Sequence, residues 1–73
     1  MDATKILAEF GGRVLSFLVE VGDRIAAGRE IAMLESMKMK IPLTTTISGT
    51  VSSLLVKPDV VVSEGDAVIA VTK

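Results

Sequence analysis

The sequence predicts an all-β fold, and three observations predict it. Apolar residues make up 49% of the 73, yet only two aromatics occur, Phe10 and Phe17. The apolar content is Val, Ile, Leu and Ala, in runs cut at short intervals by Gly, Asp and Pro, which is the pattern of many short strands. No window sustains apolar spacing at three and four residues between helix caps. Finally, the chain matches itself without a gap when slid by 37 residues.

Taken in order, Thr4 to Ala8 is a first short strand, followed by a turn at Gly11-Gly12. Arg13 to Val21 reads as the first long strand. Val14, Phe17, Val19 and Val21 cannot all face one way, so a bulge is expected near Leu15-Ser16. Gly22-Asp23 is a turn, because both residues tolerate the positive φ that tight turns require. Arg24-Ile25 is a minimal strand and Ala26-Ala27-Gly28 another turn. Glu30 to Glu35 is a strand expected to carry Ile31 and Met33 on one face. Pro42 lacks a backbone donor, so the strand holding Ile41 and Leu43 belongs at an edge or a bend.

The self-match places Gly12 on Gly49, Val14 on Val51, Ser16 on Ser53, Leu18 on Leu55, Val19 on Val56 and Gly28 on Gly65. Conservative matches lie between them: Ile25 with Val62, Ile31 with Val68, Leu34 with Val71, Ile6 with Leu43. The chain therefore reads as a single domain, residues 1–73, built from units 4–36 and 41–73. Two four-strand units that cannot each close a core would pack about a pseudo-two-fold axis as a flattened barrel or sandwich. Gly12, Gly28, Gly49 and Gly65 are read as turn glycines.

Composition excludes much chemistry. The sequence has no cysteine and no histidine, so disulfides, thiolate metal sites, cysteine nucleophiles and the commonest general base are absent. No catalytic or metal-ligating set is assigned. The formal charge is −1 with signs interspersed, which leaves no nucleic-acid footprint. No apolar run is long enough for a membrane span, and Met1-Asp2-Ala3-Thr4 lacks signal-peptide features. A soluble cytoplasmic protein is expected.

Between the units lies Met37-Lys38-Met39-Lys40. Alternating Met and Lys would suit a strand edge, Met inward and Lys outward. The join of two matching units must instead turn as a tight hairpin, and Met-Lys has none of the Asn-Gly chemistry that favours one. An unfavoured turn at an exposed join points to selection for something other than turn stability. The presented group is then Lys38, with Lys40 already in the next strand.

Glu35-Ser36-Met37-Lys38-Met39 resembles the Glu-Ala-Met-Lys-Met pattern of the biotinyl branch of the biotinyl/lipoyl attachment domain family. The resemblance spans nearly the whole chain, including Ser48-Gly49-Thr50-Val51 and the turns Val21-Gly22-Asp23 and Glu64-Gly65-Asp66. It implies two four-stranded antiparallel sheets in a flattened barrel, with biotin joined covalently to Lys38 by a biotin protein ligase. It further implies a carboxyl carrier that shuttles between a biotin carboxylase and a carboxyltransferase, and is not itself an enzyme. An exposed lysine is overwhelmingly protonated at neutral pH, so activation must come from the ligase. Met37 and Met39 are then adaptable recognition surface, with Glu35 and Ser36 beside them. Glu35 equally reads as a plain strand end, and either methionine as a core cap.

The chain departs from the family pattern in several places. Ser36 replaces the usual alanine, and Lys40 stands where an acid is common. Lys57-Pro58-Asp59-Val60 replaces a Val-Gly-Asp turn, and Glu20 to Arg24 leaves no residues for a protruding thumb. Small stand-alone attachment proteins and carrier domains of larger carboxylases are therefore the closer match. Two alternatives stay open: a lipoyl or dual biotin/lipoyl carrier, and an unmodified barrel used as an interaction module.

Overall fold

The computed structural model describes residues 3–73; Met1 and Asp2, part of the segment read as free of signal-peptide features, lie outside the described residues. Eight strands and no helix make up the described residues, so no helix is long and apolar enough to cross a membrane. The strands are β1 (Ala3–Leu7), β2 (Gly12–Phe17), β3 (Arg24–Ile25) and β4 (Glu30–Ser36), followed by β5 (Met39–Thr44), β6 (Gly49–Leu54), β7 (Val61–Val62) and β8 (Ala67–Thr72). They form two four-stranded antiparallel sheets, ordered β1-β8-β6-β3 and β5-β4-β2-β7. The all-β, two-sheet expectation is what the chain adopts.

Adding four to each strand number, cyclically, converts one sheet order into the other. The correspondence extends to single residues. Arg13↔Glu35, Val14↔Leu34 and Ser16↔Met33 in β2·β4 become Thr50↔Thr72, Val51↔Val71 and Ser53↔Ala70 in β6·β8 after a shift of 37. The bulge between Val14 and Ser16, expected near Leu15-Ser16, has its counterpart between Val51 and Ser53. Each sheet thus takes two strands from residues 4–36 and two from 41–73, rather than each unit forming its own sheet.

The aliphatic content supplies the core. Val14, Ile31, Leu34, Val68, Ile69 and Val71 are fully buried and Leu43 and Val51 nearly so, with Phe10, Phe17 and Ile47 packed at the margin. Burying each such aliphatic side chain contributes about 1.5–3 kcal/mol. Thr45 is the one buried polar residue among those described; its Oγ1 donates to Ile47 O at 2.8 Å and accepts from Ile47 N at 3.1 Å.

Four local expectations are corrected. The strand from Arg13 ends at Phe17 rather than Val21, because the chain bends at Leu18-Val19 to carry Val19 into the core. Ile31 and Met33 do not share a face. A register shift between Glu30 and Ala32 buries Ile31, Ala32 and Leu34 and leaves Met33 half-exposed. Gly12 and Gly49 are not turn residues but open strands; a Cβ on Gly12 would lie 2.7 Å from Glu35 O, and one on Gly49 2.6 Å from Thr72 O. Their smallness admits a neighbouring strand, whereas Gly28 and Gly65, at φ 93° and 91°, do sit in turns. The first strand also starts one residue earlier than expected, at Ala3, and stops before Ala8. Pro42 lies in the edge strand β5, where no partner needs its missing donor.

The Lys57–Val60 segment keeps the turn of its counterpart. Val60 N donates to Lys57 O at 3.3 Å, as Asp23 N donates to Glu20 O at 3.1 Å. Asp59, at φ 72°, takes the left-handed position that Gly22 takes at φ 97°.

Connectivity sets the two ends of the molecule. β5 runs away from the 37–38 turn and leads through residues 45–48 into β6, whose Thr50 lies beside Thr72 and Arg24. Ala3 also pairs with Thr72. The start and end of the described chain therefore lie at the end of the 36 × 17 × 17 Å body opposite the 37–38 turn.

Candidate functional site

The site is built on the hairpin joining β4 and β5. Leu34↔Ile41, Glu35↔Lys40 and Ser36↔Met39 pair in register, which leaves only Met37 and Lys38 in the loop. Both loop residues have positive φ, 53° and 65°, the signature of a type I′ turn whose twist matches its flanking strands. Non-glycine residues there are strained by roughly 1–2 kcal/mol each. The core residues Leu34 and Leu43 anchor the two strands.

The tip is almost wholly in solvent. Met37 is 92% exposed and Met39 63%, so neither caps the core. Lys38 is exposed, and among the described residues its amine enters no ion pair and no hydrogen bond. Lys40 is exposed too, but it lies in β5 with its backbone in the sheet. Ser36 is half-buried, with its Cβ 3.5 Å from the point where a Gly12 side chain would begin, an ordinary van der Waals separation.

Glu35 points to the outer face and is engaged. Its Oε1 accepts from Arg13 Nη2 at 3.1 Å, and Arg13 Nη1 lies 3.7 Å from Asp59 Oδ1. Arg13 and Asp59 were invisible as site residues in the sequence. The one available signal was that a shift of 37 puts an acid, Asp59, on a turn glycine, Gly22.

The hairpin thus presents the unencumbered primary amine of Lys38 at its turn, with that of Lys40 set back in β5. An amine so placed can be acylated by another protein and then carry the attached group to further sites. A two-sheet sandwich presenting a lysine in this way has the form that a carrier domain for a covalently bound group requires. The family described as Biotin-requiring enzyme matches residues 3–71, and the chain belongs to it.

Among its relatives, the biotin/lipoyl attachment protein of Bacillus subtilis is 39% identical over 61 residues, 84% of each protein. A biotinylated protein homolog of Mycobacterium leprae is 36% identical over 70 residues, covering 96% of this chain and 99% of that one. Among solved structures, the urea carboxylase of Kluyveromyces lactis superposes with a TM-score of 0.90 at 32% identity over 99% of this chain and 6% of that one. The mitochondrial acetyl-CoA carboxylase relatives from Saccharomyces cerevisiae are far longer, and the chain spans 3% of their length. The residues at the tip fit covalent biotin: a free amine, solvent on every side and no competing partner among the described residues.

Proposed function

We propose that Lys38 is the biotin attachment site and that the chain is a biotin carboxyl carrier. The observation that carries this reading is the unpaired Lys38 amine on a strained two-residue turn between Met37 and Met39. Membership of a biotin-requiring family, and likeness to carboxylases in which such a domain is one small part, support it. When attached, biotin supplies a ureido ring able to carry a carboxyl group. The chain's own residues present that group and keep it tethered, so that partner sites meet it at roughly millimolar effective concentration.

On this reading residues 4–36 and 41–73 act as one carrier domain. The chemistry belongs to a biotin protein ligase, a biotin carboxylase and a carboxyltransferase. Glu35, Ser36, Met37 and Met39 form the surface around the amine that the ligase meets. Intact mass of the protein co-expressed with a biotin protein ligase tests the reading. A single biotinyl increment, absent in Lys38→Arg and retained in Lys40→Arg, is expected; no increment, or one retained in Lys38→Arg, sinks it.

A lipoyl increment is the second reading, favoured by one finding: the name of the Bacillus subtilis relative covers both groups. The same mass measurement with a lipoyl ligase decides between them.

A further inference from the structure

The near-exact correspondence of the two sheets allows what the fold requires to be separated from what it does not. On the outer face of one sheet, Val61, Arg13, Glu35 and Lys40 stand in one row across β7, β2, β4 and β5. The same row at the other end, 37 residues away, is Arg24, Thr50, Thr72 and Ala3. Asp59, beside the first row, corresponds to Gly22 beside the second. The backbone is the same in both places; the charges are not.

At the hairpin end the signs alternate along the row: Asp59 negative, Arg13 positive, Glu35 negative, Lys40 positive. Arg13 bridges Glu35 at 3.1 Å and Asp59 at 3.7 Å. Lys40 stands opposite Glu35 and makes no ion pair among the described residues. Since Thr50 and Thr72 stand in the equivalent row where Arg13 and Glu35 stand here, the fold does not need that ion pair. Exposed pairs of this kind also contribute little to stability. Asp59 adds a second sign: it holds a left-handed backbone, φ 72°, where its counterpart is glycine. Aspartate tolerates this conformation, so the turn is kept while a carboxylate is added beside Arg13.

We infer that this alternating row is a docking register for the ligase that acylates Lys38, read by a ligase face of complementary alternating charge. The inference rests on Lys38 being the attachment site. The unmodified amine stands at the end of a four-carbon stem, so the ligase must close over the hairpin to reach it. That brings its surface over Glu35, three residues away, and within about 8 Å, one screening length at physiological salt, of the row. After modification the extended arm lets carboxylase partners stay farther off. Alternating signs suit this role because they penalise a partner in the wrong orientation as well as attracting the right one.

The test reverses the signs of Arg13, Glu35 and Lys40, keeping the 13–35 pairing, and neutralises Asp59, in the full chain carrying Arg13→Glu, Glu35→Arg, Lys40→Glu and Asp59→Asn. Biotin incorporation by the host's own biotin protein ligase is followed with biotin and ATP. The melting temperature should move by no more than about 5 °C, since one surface ion pair is reversed and one weak exposed pair is lost. The kcat/KM of ligation should fall by about tenfold or more at low salt, through slower association. The gap should close between about 0.01 M and about 1 M salt, as screening shortens from roughly 30 Å to roughly 3 Å.

Ligation at the wild-type rate at every salt concentration overturns the inference, and so does an equal loss at low and high salt. Should the inverted chain not fold, Arg13→Gln with Glu35→Gln carries the same test, with a salt-dependent fall of about threefold expected. Failure of the wild-type chain to accept biotin at all would overturn the attachment site itself, a different result from an indifferent charge row.

Discussion

At the scale of single residues, the telling feature is that Met37 and Lys38 occupy a turn unsuited to either. A type I′ turn asks for positive φ at both central positions, which Asn-Gly provides with little strain. Met37→Asn with Lys38→Gly should therefore stabilise the protein by about 1–2 kcal/mol, visible as a higher urea midpoint, while abolishing modification. An unchanged or lowered midpoint would mean that the present turn is not strained. Exposure of Met37 and Met39 argues in the same direction: two large apolar side chains in water contribute nothing to the core. Stability at this turn has been surrendered to leave an amine and two thioethers accessible.

At the scale of elements, strands rather than side-chain polarity hold the hairpin in place. Leu34 in β4 is fully buried and sits between Val14 and Ile41 in adjacent strands. Leu34→Ala should cost about 2–5 kcal/mol, measured by equilibrium urea unfolding; a cost under 1 kcal/mol would show that the tip is anchored elsewhere. The strand-opening glycines make a paired prediction. A Cβ on Gly49 would approach both Thr72 O and Val71 Cγ1 to 2.6 Å, and one on Gly12 would approach Glu35 O to 2.7 Å. Gly49→Ala and Gly12→Ala should each destabilise by roughly 1–3 kcal/mol. Only the second lies at the hairpin base, so it alone should also slow ligation. Equal ligation rates in the two variants would contradict that placement.

At the scale of the whole molecule, interleaving governs behaviour. Each sheet draws strands from both halves of the chain, so neither half has a complete sheet to fold onto. A peptide of residues 4–36 is below the roughly 40 residues at which unaided domains become rare. It should show no dispersed amide resonances alone; a cooperative thermal transition from it would refute the argument. The elongated body then has consequences for use. With the start and end of the described chain at one end and Lys38 at the other, any continuation or tether leaves from the far side and the amine faces outward. The two ends share a backbone but differ in charge, and the difference lies at the end that carries the lysine.

Much of this was legible in the sequence because the relevant forces are local and periodic. Val-rich runs, turn glycines and an ungapped 37-residue self-match specified short strands, two matching halves and an unfavoured join, and the Met-Lys-Met pattern singled out Lys38. What the sequence could not show depended on which strands become neighbours. The bulge that buries Ile31 with Ala32, the crowding that requires Gly12 and Gly49, and the mixing of the two halves within each sheet all follow from pairing register. Arg13, Glu35 and Asp59 are scattered along the chain, and nothing in their own neighbourhoods predicts an encounter. Local propensity selects strands and turns; contact between distant side chains is decided only when two sheets close on one core, because register is set by packing the whole apolar face at once.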